Sequence, residues 1–173
     1  MLQIRSAEEL KRFIAENRVC AVLVKSDVCA PCKVAIENSR EFDIPVAVLD
    51  FFEMDEEVER LLYFPIKVVP TFVLFIDGVP SARITGPADR EEVNDTVNKA
   101  KTHLRNIRAE TGARMLAFAK ICNADIDIDF LKKKIRNPVL PCRAEIDICP
   151  CPDAALDLLE KGECKGGVFR RRG

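Results

Sequence analysis

A chain of 173 residues and 19.4 kDa can hold one large domain or two small ones. With 48% hydrophobic and 32% charged residues it has the composition of a folded protein, not a disordered one. Twenty-seven Lys plus Arg against 28 Asp plus Glu leave no global charge that would recruit nucleic acid or an anionic membrane. No apolar run approaches the roughly 20 residues that cross a bilayer. The start, Met1-Leu2-Gln3-Ile4-Arg5, is not a basic segment followed by an apolar one, so the expectation is a cytoplasmic chain without a membrane or nucleic-acid partner. Eight cysteines then stand out. In a reducing compartment structural disulfides are rare, and a cysteine-rich chain points to redox chemistry or metal binding.

The cysteines divide the chain. Cys20, Cys29 and Cys32 lie early, whereas Cys122, Cys142, Cys149, Cys151 and Cys164 crowd the last third. No Gly/Ser-rich linker separates the groups. The stretch 90–114 is charged and helix-favouring, and a boundary near residue 105 gives domains 1–105 and 106–173 that share or abut a helix.

In the first domain, Ser6 followed by Glu8 and Glu9 opens a helix with a hydroxyl cap and acids in its first turn, and Leu10, Phe13 and Ile14 fall on one face. The continuous apolar run 19–24 fits a strand covered on both faces. A helix over about 31–40, a strand at 45–49, a helix at 54–63 and a strand at 71–76 follow. Asp77-Gly78 signals a hairpin, with 81–85 pairing back. Asp89-Arg90-Glu91-Glu92 opens a last helix carrying Val93, Val97, Ala100 and Leu104. The fold class is α/β, a mixed sheet with helices on both faces.

The chemistry of this domain concentrates in Cys29-Ala30-Pro31-Cys32, placed after a buried strand and at the start of a helix. Free N–H groups and the positive end of the helix dipole favour a thiolate at Cys29, and Lys33 adds positive charge. Two intervening residues let Cys32 close a small disulfide ring, and Pro31 is tolerated in the first turn. Cys29 reads as the exposed nucleophile and Cys32 as the more buried resolving thiol. A zinc half-site would need two further ligands from this domain. Cys20 lies in a buried strand and reads as a small hydrophobe, and His103, the one histidine, as a solvated helix residue.

Val22-Leu23-Val24, Cys29-Ala30-Pro31-Cys32-Lys33, Val69-Pro70-Thr71-Phe72, Asp77-Gly78 and Gly86 together resemble thioredoxin over about residues 1–105. The resemblance implies the thioredoxin fold, exchange with protein disulfide substrates, and a cis proline at Pro70 lying against the redox pair, so that the catalytic set is Cys29, Cys32 and Pro70. Two positions depart from the family. Val28 stands where a tryptophan is usual, and Lys25 stands where the family has a buried acid, with Asp27 a shifted substitute.

The second domain reads as small, mainly α and Cys-rich. Residues 125–131, acidic at the front and followed by Lys132-Lys133-Lys134, read as a helix ended by Asn137-Pro138, and 156–161 as a short helix ended by Gly162. Cys142, Cys149, Cys151 and Cys164 follow the pattern C-x6-C-x-C-x12-C, four thiols able to converge on a soft metal, either an iron–sulfur cluster or zinc. Over about residues 107–169 the chain resembles the catalytic subunit of ferredoxin–thioredoxin reductase. Thr111-Gly112, Asn137-Pro138, Cys142-Arg143, Cys149-Pro150-Cys151 and Cys164 carry that likeness. It implies a [4Fe-4S] cluster ligated by Cys149, Cys151 and Cys164. Leu140 and Gly166 stand where that family has cysteines, and Cys142 matches a redox thiol that would here serve as fourth ligand. Cys122 is a further ligand or a free thiol.

Two functions follow as expectations. One is a thiol–disulfide oxidoreductase coupled through its C-terminal site to ferredoxin or another one-electron donor. The other is a zinc or iron–sulfur adaptor or electron-transfer module with minor thiol activity. The basic tail Arg170-Arg171-Arg172 reads as a solvated end able to steer an acidic donor.

Overall fold

The computed structural model describes residues 1–140, 149–151 and 153–172. They form two compact units, Met1–Thr102 and His103–Gly173.

The first unit is built on five strands: β1 (Leu2–Ile4), β2 (Val19–Lys25), β3 (Val46–Asp50), β4 (Thr71–Ile76) and β5 (Val79–Thr85). Their order is β1-β3-β2-β4-β5, with β1 and β2 parallel to β3 and β4 antiparallel to both β2 and β5. β2 is central and apolar throughout because both faces are covered. Its alternating side chains feed two cores. Cys20, Val22 and Val24 pack with Leu10, Phe13 and Ile14 of α1 (Ala7–Glu16) and with Val58 and Leu62 of α3 (Glu56–Leu62). On the other face Ala21 and Leu23 pack with Ala35 of α2 (Ala30–Asn38), with Phe72 and Leu74, and with Val93 and Val97 of α4 (Arg90–Ile121). The thioredoxin fold expected from the sequence is thus present as an α/β mixed sheet.

Local chemistry sets the element ends. Ser6 Oγ accepts from the Glu9 N–H at 3.2 Å and opens α1. Asp55 accepts from the Val58 N–H at 2.8 Å, so α3 starts two residues later than the expected Met54, and Tyr63, at φ +64°, ends it. β1 has no counterpart in the sequence reading. It is three residues long with only Ile4 buried, too short to carry a period-2 pattern.

α4 is one 32-residue helix that begins in the first unit and ends in the second. Met115 and Ala119 near its end belong to the second core, with Phe130, Leu131, Leu158, Val168 and Phe169. The second unit corrects one reading. Residues 125–131 are not a single helix. Ala124–Ile126 is a strand, β6, paired antiparallel with β7 (Phe169–Arg171), and α5 (Ile128–Arg136) starts only after Asp127, whose side chain accepts the Phe130 N–H at 2.9 Å. The unit therefore has a two-stranded sheet beside α5 and α6 (Ala154–Lys161), because pairing with β7 wins over helix extension at residues 124–126. Gly162, at φ +78°, ends α6. Two donor bonds from the Arg108 guanidinium, at 3.0 and 2.7 Å, satisfy the Arg136 carbonyl near the end of α5. No helix among the described residues is long and apolar enough to cross a membrane.

Candidate functional site

β2 ends at Lys25, and after three intervening residues Cys29 caps α2. The Cys32 N–H donates to Cys29 Sγ at 3.2 Å and to the Cys29 carbonyl at 3.2 Å, so an amide of the helix start is shared with the sulfur. Cys29 and Cys32 are joined as a disulfide with their Cα atoms 5.3 Å apart. Their environments differ. Cys32 is 1% exposed, whereas Cys29 is half-buried and follows Val28, which is 91% exposed. An incoming group meets Cys29 first.

A segment 40 residues away closes the site. The Val69 carbonyl oxygen lies 3.6 Å from Cys29 Sγ, and the Val69–Pro70 peptide is cis. Pro70 is buried, and its carbonyl accepts the Gly86 N–H at 2.9 Å. Thr71 Oγ1 donates to the Val68 carbonyl at 2.8 Å. The fold thus brings Cys29, Cys32 and the Val69–Pro70 peptide to one place. Gly86 sits at φ +107°, a conformation that side-chain-bearing residues rarely adopt, and a Cβ there would meet nothing within 4 Å. Gly86→Ala should therefore cost backbone strain alone, about 1–2 kcal/mol, read as a lower urea midpoint, with disulfide reduction slowed because the strained residue holds Pro70.

Comparison with known proteins finds likenesses over the N-terminal part of the chain. No family model matches the chain. Over 101 residues it is 28% identical to the thioredoxin of Chlamydia pneumoniae, which covers 57% of this chain and 98% of that one. It is also 28% identical over 106 residues to the thioredoxin of Mycobacterium bovis, covering 56% and 89% of the two chains. Among solved structures, Fasciola hepatica thioredoxin covers 58% of this chain and 99% of its own at 21% identity, with a TM-score of 0.49. The N-terminal unit is thioredoxin-like, and the chain is a thiol–disulfide oxidoreductase.

The electrostatics of the thioredoxin-like unit depart from the expected pattern. Lys25 does not stand alone at the position where the family has a buried acid. Its ammonium pairs with Asp50 at 2.7 Å and with Asp27. Asp50 is the cross-strand partner of Lys25, and its side chain also accepts the Phe52 N–H at 3.0 Å. Hydrogen bonds donated to Asp27 and then to Asp50 raise the Lys25 pKa, and the bond accepted from Lys25 lowers that of Asp50. The raised lysine contributes stability that is lost only as pH climbs through its folded value. The depressed acid contributes stability lost only as pH falls through its own. The pair is therefore fully charged across the neutral range. Asp50 was missed in the sequence because strand register, not spacing, sets it opposite Lys25. Cys20, fully buried in the core below, has its thiol pushed up to about 12 by burial.

Outside the thioredoxin-like unit, Cys149 and Cys164 are buried and Cys122 and Cys151 are partly buried, all packed in the second core. Cys164 Sγ accepts the Phe169 N–H at 3.3 Å, and the Gly167 N–H bonds the Cys164 carbonyl at 2.7 Å. The Cys149–Pro150 peptide is cis. Cys142 lies outside the described residues. Among the described residues no three His, Cys, Asp or Glu side chains are arranged to hold a metal ion. His103 is exposed on α4.

Proposed function

We propose that the chain reduces disulfides of protein substrates, with Cys29 as nucleophile, Cys32 as resolving thiol and the Val69–Pro70 peptide as the wall against which the substrate lies. The observation carrying this reading is the unequal pair, a half-buried Cys29 sulfur that accepts a helix-start N–H beside a Cys32 that is 1% exposed.

In the reduced protein, the Cys29 thiolate attacks one sulfur of the substrate disulfide. A Cys29–substrate disulfide forms and the other substrate sulfur leaves as a thiolate. The Cys32 thiolate then attacks Cys29 Sγ, the Cys29–Cys32 bond forms, and the second substrate thiolate leaves. Two electrons pass to the substrate, and solvent protonates its thiolates. The helix-start amide and dipole stabilise the Cys29 thiolate whenever it is the attacking or leaving group. Reduction of insulin by an external dithiol tests this. Wild type should accelerate it, and Cys29→Ser should fall to the uncatalysed rate. Equal rates would leave an adaptor.

The second part of the proposal is that Cys142, Cys149, Cys151 and Cys164 form a soft-metal site, a [4Fe-4S] cluster or zinc, served by ferredoxin or another one-electron donor. Support comes from donor chemistry and from the shared core of Cys149, Cys151 and Cys164. The described residues do not assemble three ligands, so no electron step is derived through it. Anaerobic purification with iron and sulfide analysis and a spectrum around 400 nm separates cluster from zinc.

A further inference from the structure

The link that delivers the nucleophile is only Ser26, Asp27 and Val28, between the end of β2 and the cap of α2. Two of its three side chains have no purchase on the core, Asp27 being 86% exposed at the side chain and Val28 91% exposed. Ser26 is itself buried, and among the described residues two further contacts fasten the link. The Cys29 N–H donates to the Ser26 carbonyl at 3.2 Å, and the Asp27 carboxylate pairs with Lys25. Lys25 is itself 12% exposed at the side chain and is tied across the sheet to Asp50, 14% exposed at the side chain, whose other oxygen caps the turn at Phe52. The Lys25–Asp50 half is a part-buried ion pair, screened less than a surface one, whereas the Asp27 half ends on an exposed carboxylate.

We propose that Lys25 is the positioning residue of the nucleophile, an ammonium strap from Asp50 through to Asp27 that holds the Ser26–Val28 link so that Cys29 Sγ stays 3.2 Å from the Cys32 N–H and 3.6 Å from the Val69 carbonyl. This rests on the reading of Cys29 as nucleophile. The contacts Lys25 makes among the described residues are with Asp27 and Asp50, not with the reacting sulfurs. It acts by keeping the link in register, and displacement of an attacking atom by a fraction of an ångström to an ångström is what lowers such a rate.

The test is the reduced full-length protein. Three variants are compared with wild type: Lys25→Met, which keeps the aliphatic stem and removes the charge, Lys25→Arg, which restores it, and Asp27→Asn, which cuts only the link's half of the strap. The readouts are the second-order rate of Cys29 alkylation by iodoacetamide, with the modified residue identified by mass spectrometry, and kcat and KM for insulin reduction. Far-UV circular dichroism confirms that each variant is folded. Lys25→Met should lose about tenfold in kcat and in alkylation rate with KM little changed. Lys25→Arg should recover most of the loss, and Asp27→Asn should show part of it. Wild-type rates in both folded Lys25→Met and Asp27→Asn would overturn the proposal, as would a Lys25→Met defect confined to KM or a failure of Lys25→Arg to rescue. The underlying reading fails separately, if Cys29→Ser reduces insulin as fast as wild type.

Discussion

Cys32→Ser is expected to convert the protein from a turnover catalyst into a trap. Cys29 keeps its place at the cap of α2, the nearby Val69 carbonyl and the N–H donated to its sulfur by residue 32 through the backbone, so attack on a substrate disulfide still proceeds. What is lost is the second displacement. Cys32 lies 1% exposed and bonded to Cys29, so no external thiol can easily take over its attack from inside the protein. Steady-state insulin reduction should fall at least about 100-fold, the scale on which removal of one essential catalytic group acts. A dithiothreitol-sensitive covalent adduct of protein and substrate should meanwhile accumulate in stoichiometric amount. Intact-mass analysis after a single mixing reads both facts. A Cys32→Ser protein that turns over normally, or one that forms no adduct, would place the resolving step elsewhere.

Much of this was legible before the fold was seen, and the reason lies in what each signal depends on. The Cys29–Cys32 pair, the apolar run of β2 and the Asp77-Gly78 hairpin are local, and local chemistry forced their conformation. The central strand needed no partner to be recognised, since a run apolar on both faces has nowhere to lie but between layers. What failed to show depends on contacts across the chain. β1 is a strand only because β3 offers its edge, and β6 only because β7 returns beside it. Asp127 was read inside a helix when it is the cap, a shift of boundary that the acidic residues 125, 127 and 129 disguise by their even spacing. Lys25 stands where the resemblance puts an acid, and only the register that sets Asp50 opposite it makes it half of an ion pair. The thiols of Cys142, Cys149, Cys151 and Cys164 mark the opposite limit. Their spacing names a class of ligand, yet ligation needs three sulfurs at one point, which spacing alone does not specify.

The second large effect belongs to that C-terminal unit. Phe169→Ala should unfold it while the thioredoxin-like unit stays protected. Phe169 is fully buried, packs edge-on against Phe118 with ring centroids 4.7 Å apart, and opens β7 opposite Ile126. Its backbone carries the Cys164 turn, accepting the Cys164 N–H at 3.0 Å and donating to Cys164 Sγ. Truncating a buried phenylalanine costs about 3–5 kcal/mol through lost burial and the cavity left behind. A single core in a unit of this size rarely supplies more than about 3–5 kcal/mol in total. The two figures meet, so the metal-free unit should sit near or past its midpoint of unfolding. Limited proteolysis with cleavage sites mapped by mass spectrometry should then show cuts concentrated between residues 124 and 172, whereas Phe169→Leu, a smaller change in volume, should stay resistant. Zinc or a reconstituted cluster, if the thiols hold it only when the unit is folded, should restore resistance to Phe169→Ala in proportion to its affinity. A Phe169→Ala protein as resistant as wild type without metal would show that this core is held by something other than the ring that the Phe118 and Cys164 contacts converge on.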